Sequence, residues 1–509
     1  MIGLLASLLA GAAVLPAAAP SASRGRQIYL RGQGGKGPAI AASIDGWQSQ
    51  VPASLLACAS CHGADGEGRP EGGVTPSPLT WDQLTKPYAV EEAGGRSRPP
   101  YTESTLARAV MTGLDSAGRP LQSTMPRFRM SGEQLHDLVA YLKILGRTRE
   151  PGLTDQSLAV GMFVPSSGPQ QKIGEAMRQV VSALFDRANA HGGLYGRKLE
   201  LRVLRSEDGA SALAGGQVFA LLGGLSGVTG LDVAALAEEK EIPLIAPVVT
   251  DPDPGSPARR YSFYLFPGMR EQALALAAFA EEQVEKKALR AIVVYPRTPR
   301  ATGLAQAIEE HARDAGWAGV KEIGYREGAS DAEAAVAAGR KASASALFFL
   351  GSPAEAASLL SEAAKRSFTP SVFLEGLQAG RELSAAPPAF QDRLFLAFPG
   401  LPLARGTEAE QDFHALLGKQ AQPGMQAFQL WAYAGGRILL EALRTAGRRL
   451  DREKLITSLE GLYDFEAGTA APVRFGPGRR LGTSGATIVR LDASVHQMVV
   501  VRPWVDVEN

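Results

Sequence analysis

Apolar residues follow three rhythms along this chain, and each rhythm predicts a different kind of element. From Ile2 to Ala19 every position is Ile, Leu, Gly, Ala, Val or Pro, apart from one Ser, and Pro20-Ser21-Ala22-Ser23-Arg24 follows. An apolar run ending in small residues predicts a secretory signal peptide over residues 1–23. A run of this length could also just span a bilayer, so a retained N-terminal anchor is the alternative. The next stretch is broken by glycine and proline, with Gly32, Gly34, Gly35 and Gly37 early and Arg96 to Pro100 later. One helix is well marked there. Ser131 and Gln134 form a capping box, and Leu135, Leu138, Val139, Leu142 and Leu145 recur at helical spacing until Gly146. Pro151-Gly152 lies in a polar stretch that reads as a linker over residues 150–157.

Beyond the linker, short apolar runs alternate with amphipathic stretches. Strands are predicted at Leu158–Phe163, Leu199–Leu204, Val218–Leu222 and Pro243–Pro247, then at Ala291–Tyr295, Lys321–Tyr325, Ala346–Leu350 and Ser371–Leu374. Helical faces lie between them, such as Ile173, Met177, Val180, Val181, Leu184 and Phe185. Such alternation builds parallel sheets covered by helices on both faces. A segment of about 350 residues exceeds one core, so two lobes are expected. Two closing strands, Thr487–Leu491 and Gln497–Val501, flank Asp492-Ala493-Ser494.

Charge adds little bias. The 509 residues hold 53 Lys+Arg and 52 Asp+Glu, for a net charge of +1. Residues 24–150 carry +3 and residues 151–509 carry −2. With no basic field to hold a polyanion, nucleic acid is an unfavourable partner. The two cysteines change the picture more. Cys58 and Cys61 are all the chain has, which excludes a disulfide scaffold and any four-cysteine metal site.

Cys58-Ala59-Ser60-Cys61-His62 is a C-x-x-C-H motif. Two thiols at this spacing can add to the two vinyl groups of one heme, and the adjacent His is then held under the iron. A zinc site would need two further ligands, and the other histidines are scattered. A dithiol oxidoreductase would sit in a βαβ context, which is absent here. The expected cofactor is one heme c, covalently bound, with His62 as proximal ligand. Met125, in Thr124-Met125-Pro126-Arg127-Phe128, is the expected sixth ligand, since the proline after it favours an extended loop. Met111 and Met130 are rivals. Arg127 and Arg129 are expected to edge the heme and attract an acidic redox partner.

Residues 25–147 resemble a class I c-type cytochrome. The resemblance rests on Gly25-Arg26-Gln27-Ile28-Tyr29, the C-x-x-C-H, the Met-Pro-Arg-Phe loop and the closing Leu-Val-Ala-Tyr-Leu-Lys helix. It implies an all-α cytochrome c domain over residues 24–149 and outer-sphere electron transfer. It also implies a proline carbonyl accepting from the proximal imidazole, with Pro76 and Pro78 as candidates.

The remainder is similar to the type I periplasmic solute-binding proteins of the Leu/Ile/Val-binding group. The matching stretches are Arg187–Leu199, Leu225–Thr229, Ile242–Pro247, Ala432–Gly436 and Arg474–Gly478. They imply an α/β fold over residues 158–507, with two Rossmann-like lobes and a ligand in the cleft between them. Lobe one is expected at residues 158–268 and 394–475, lobe two at residues 269–393 and 476–507. Ser226, Val248 and Thr250 are the implied lobe-one contacts, and Glu375 is an acidic candidate at a lobe-two strand end. Two departures stand out. Too few residues separate Asp208 from Gly223 for a full helix and strand, and Arg300-Ala301 replace an aromatic that such sites often carry.

No G-x-S-x-G, H-E-x-x-H or P-loop occurs, which argues against a hydrolase or NTPase. The expected protein is a non-enzymatic, exported electron carrier fused to a module for an amino-acid-like or small organic acid ligand. Its expected redox partner is a periplasmic dehydrogenase or another cytochrome. Alternatives are an ABC-transporter solute-binding protein, with an ABC permease as partner and the cytochrome as accessory, or a heme enzyme or sensor.

Overall fold

The computed structural model describes residues 20–35, 37–44, 49–68, 75–92, 95–146, 150–215, 217–225, 230–249, 251–252, 259–376, 386–400, 408–418, 422, 424–469, 471–492 and 497–507. The predicted signal peptide lies almost wholly outside them. The chain forms two compact units, Met1–Arg149 and Glu150–Asn509. Among the described residues, no helix is long and apolar enough to cross a membrane.

The first unit is built on α1 (Ala22–Arg31), α2 (Cys58–His62), α3 (Trp81–Leu84), α4 (Glu103–Thr112) and α5 (Gly132–Leu142). Local chemistry sets their ends. The Ser21 hydroxyl accepts from Arg24 N–H to start α1, and Thr102 and Ser131 open α4 and α5 with capping boxes. α1 crosses α5 where Gly25 meets the Asp137 carbonyl, and a Cβ there would lie 1.9 Å from that oxygen. The predicted apolar face of α5 is buried through Leu135, Leu138, Val139 and Leu142, with Leu145 just beyond its end. Two small sheets accompany the helices. β1 (Ala41–Ser43) pairs with β2 (Val51–Pro52) and β5 (Arg127–Arg129), and β3 (Val90–Glu92) pairs with β4 (Arg96–Arg98).

The second unit has two lobes. In lobe one the chain runs β6 (Ser157–Val164), α6 (Pro169–Ala190), β7 (Lys198–Arg205), α7 (Ser211–Gly215), β8 (Ala220–Leu222), α8 (Val233–Lys240), β9 (Leu244–Ile245) and β10 (Ser262–Phe263). Its parallel sheet has the order β10-β9-β8-β6-β7. The short spacing after Asp208 is met by α7, which is only five residues long.

Lobe two runs α9 (Met269–Gln283), β11 (Arg290–Pro296), α10 (Pro299–Ala315), β12 (Gly319–Tyr325), α11 (Ala332–Lys341), β13 (Ala346–Phe349), α12 (Pro353–Lys365), β14 (Ser371–Glu375) and β15 (Leu394–Phe398). The chain then returns to lobe one through α13 (Glu408–Leu417), α14 (Gln426–Ala446) and α15 (Arg452–Glu460), which pack into that lobe's core. It closes lobe two with β16 (Gly485–Asp492) and β17 (Gln497–Asp506). The lobe-two sheet has the order β12-β11-β13-β14-β15-β16-β17, and its last two strands are antiparallel.

Both expected lobe boundaries shift. Residues 394–398 belong to lobe two, because Val372 to Glu375 pair with Leu394 to Ala397. The segment around Leu481 belongs to lobe one, because Leu481 bridges Tyr264 and Gly482 N–H donates to the Tyr264 carbonyl. Strand pairing, which hydrophobic rhythm does not reveal, places both crossings.

Candidate heme cavity and ligand cleft

α2 is a single turn that carries the whole C-x-x-C-H motif, so both sulfurs and the imidazole come from one rigid piece. They line an apolar cavity of about 500 Å³ together with Met125, Tyr29, Leu106, Val110, Phe128, Leu138 and Leu142. Neither cysteine is in a disulfide. Burial pushes the Cys58 thiol up to about 12, whereas Cys61 is exposed.

His62 is buried, and burial holds its pKa below the ordinary value, opposed by a backbone hydrogen bond to Ser77. Its Nδ1 lies 2.8 Å from the Ser77 carbonyl oxygen. A carbonyl can only accept, so Nδ1 carries the hydrogen and Nε2 keeps its lone pair for a metal. The acceptor is therefore Ser77, not Pro76 or Pro78. The two prolines flank it, and Pro76 also lines the cavity.

Met125 is half-buried in a turn closed by its own N–H to the Gln122 carbonyl. The rival methionines lie elsewhere. Met111 is 42% exposed, and Met130 is 8% exposed within the apolar core. Two thiols, one neutral imidazole and one thioether around an apolar cavity are a donor set that fits a covalently held heme. Arg127 is half-buried. Its guanidinium turns back and Nη1 donates to the Met125 carbonyl, while Arg129 is exposed.

In the second unit, each sheet changes winding direction beside its first strand. That occurs between β6 and β8 in lobe one and between β11 and β13 in lobe two. Ligand crevices form outside the carboxyl ends of such strands. In lobe one a concavity of about 420 Å³ lies at the carboxyl ends of β6 and β7, on the other side of β6 from that switch point, lined by Val164, Ser166, Lys172, Arg205 and others. One of about 470 Å³ lies in lobe two, lined by Pro296, Thr298, Arg300, Gly351, Ser352 and others. Sequence reasoning did not single out Lys172, in the first turn of α6, or Arg205, the last residue of β7.

Of the implied lobe-one contacts, Ser226 and Thr250 lie outside the described residues. Val248 is half-buried at a strand end, bridged to Leu225, with its N–H donating to the Gly224 carbonyl. Glu375 ends β14 and is 1% exposed. Its pKa is raised to about 8, by burial first and by the Asp251 charge second, with Arg300 opposing both. Arg300, on α10 of lobe two, reaches Asp251 of lobe one at 3.6 Å. The structure thus brings Glu375, Arg300 and Asp251 into one electrostatic group.

Two family models match the chain. One described as periplasmic binding protein covers residues 157–495, and one described as cytochrome c covers residues 53–146. Among solved structures, a fatty acid ABC transporter substrate-binding protein from Thermomonospora curvata is similar at 20% identity and TM-score 0.53, over 71% of this chain and 96% of that one. A putative branched-chain amino acid ABC transporter from Rhodospirillum rubrum is similar at 19% identity and TM-score 0.56, over 68% of this chain and 100% of that one. A branched chain amino acid ABC transporter from Thermus thermophilus with bound valine is similar at 17% identity and TM-score 0.51, over 70% and 97%. At these identities the likeness is one of fold. No curated protein matches.

Proposed function

Because the chain belongs to the periplasmic binding protein family and carries a cytochrome c domain, which implies covalently bound heme c, ahead of its binding module, we propose that it is an exported one-heme electron carrier joined to a small-molecule receptor. The convergence of Cys58, Cys61, His62 and Met125 on one apolar cavity supports the first half most directly. In this reading Cys58 and Cys61 would tether the porphyrin, and His62 and Met125 would be the residues that hold its iron. When bound, the heme supplies reversible one-electron exchange. The chain's own work is to keep His62 neutral and oriented, keep water out with the apolar lining, and hold Met125 in place. Met125 as an iron ligand would favour electron transfer over peroxide or oxygen chemistry. The redox partner is a periplasmic dehydrogenase or another cytochrome.

The ligand is a small amino-acid-like molecule or organic acid. Concavities at the strand ends of both lobes support this, as does the valine held by one protein of like fold. In a second reading the binding module delivers solute to an ABC permease and the cytochrome is accessory. The two-lobed architecture shared with transporter components favours it.

The test uses the full heme-loaded protein and a panel of amino acids and small organic acids. Melting and midpoint potential are followed together. A saturable rise in melting temperature with one compound is expected. A panel that shifts nothing would remove the receptor half of the proposal. Rapid CO binding to the reduced protein would remove the closed sixth position.

A further inference from the structure

Resting on Met125 as sixth ligand, we propose that Arg127 is a positioning residue, whose guanidinium fixes the Met125 peptide and so aims the thioether into the heme cavity. Three observations carry this. First, Arg127 Nη1 donates to the carbonyl oxygen of Met125, two residues back. That carbonyl and the Met125 side chain leave nearly the same backbone atoms, so holding one restricts the other. Second, the guanidinium lies against the C-terminus of α4. Gly113 caps that helix at φ 72°, and a Cβ on it would fall 1.7 Å from Arg127 Nε. Any other residue at 113 would both strain the cap and displace the arginine. The partial negative charge of the helix end favours a cation there. Third, the loop is anchored on both sides. Leu121 N–H donates to the Gly113 carbonyl, and Arg127 pairs with Ser43 in the small sheet. Arg127 therefore ties the Met125 turn to α4, whose Leu106, Ala109 and Val110 also line the cavity.

This role differs from steering a partner. A steering arginine would change the salt dependence of electron transfer and leave iron ligation untouched. The test compares R127A, R127Q and R127K with M125L in the heme-loaded full chain. The readouts are the ferric sulfur-to-iron charge-transfer band, the rate of CO binding to the reduced form and the midpoint potential. R127A is expected to weaken the band, lower the potential and speed CO binding by about tenfold or more, as loss of a ligand's outer support does. R127K, which can still donate, is expected to restore most of the band. If R127A fails to load heme, R127Q carries the same comparison at nearly the parent's volume. A parental band, potential and CO rate in R127A or R127Q would overturn the proposal. A parental band in M125L would instead overturn the ligand assignment itself, so the two failures are distinguishable.

Discussion

His62 donates from Nδ1 to the Ser77 carbonyl over 2.8 Å, and this one bond sets the tautomer and heading of the proximal imidazole. The carbonyl is held by its neighbour. Pro78 keeps Ser77 out of the helical region, so the peptide cannot roll freely. Donation from Nδ1 makes the ring a stronger donor to a metal and favours the oxidised state. P78A is therefore expected to raise the midpoint potential. A hydrogen bond worth about 1 kcal/mol bounds the change at roughly 40 mV for a one-electron couple. Potentiometry of the heme-loaded protein decides it, and a fall in potential would contradict the mechanism.

Gly25 leaves no room for a side chain where α1 crosses α5. An added Cβ would lie 1.9 Å from the Asp137 carbonyl oxygen and 2.8 Å from Tyr141 Cβ. Both obstacles belong to the facing helix, so the helices must separate. Overpacking of this kind costs about 1–3 kcal/mol. G25A is expected to melt the heme-bearing unit several degrees below the parent, with little change in the binding module. Circular dichroism in the heme band separates the two transitions. An unchanged heme-band transition would show that the crossing yields easily.

Most of the architecture was legible because it rests on local rules. The α5 capping box and its leucines, the C-x-x-C-H turn and the βα alternation are all patterns within a few residues. What failed depended on contacts far apart in sequence. The lobe crossings near 398 and 482 are set by pairing of β14 with β15 and of Tyr264 with Leu481. The Ser77 carbonyl went unrecognised because backbone acceptors carry no side-chain signature. Nothing local in the sequence says that the Arg127 guanidinium folds back onto the Met125 carbonyl.

The Asp251–Arg300 pair links the lobes but is expected to add little stability. The side chains are 41% and 57% exposed at 3.6 Å separation. Such pairs are worth about 0–1 kcal/mol. D251N is therefore expected to leave the urea midpoint of the binding module nearly unchanged. Its effect should appear on Glu375 instead. Removing Asp251 takes away a charge that raises the Glu375 pKa, whereas R300Q takes away one that lowers it. D251N should move the Glu375 titration down and R300Q should move it up. Carboxyl carbon NMR of labelled protein reads both, and shifts of the same sign would refute the grouping.

Glu375 also makes stability depend on pH. Burial lifts its pKa from an ordinary 4.5 to about 8 in the folded protein. The folded state therefore holds this proton between pH 4.5 and 8 while the unfolded chain releases it. Where the native state binds more protons, stability falls as pH rises. The contribution is full below pH 4.5 and is lost on rising through about pH 8, with an upper size on the order of 5 kcal/mol at 1.36 kcal/mol per unit. E375Q cannot lose that proton. Its stability relative to the parent should increase across this window, because other titrating groups are common to both and largely cancel. Urea unfolding of both proteins at pH 5 and pH 8 measures the difference. A gap that stays constant between the two would mean that Glu375 titrates in the folded protein as it does in the unfolded chain.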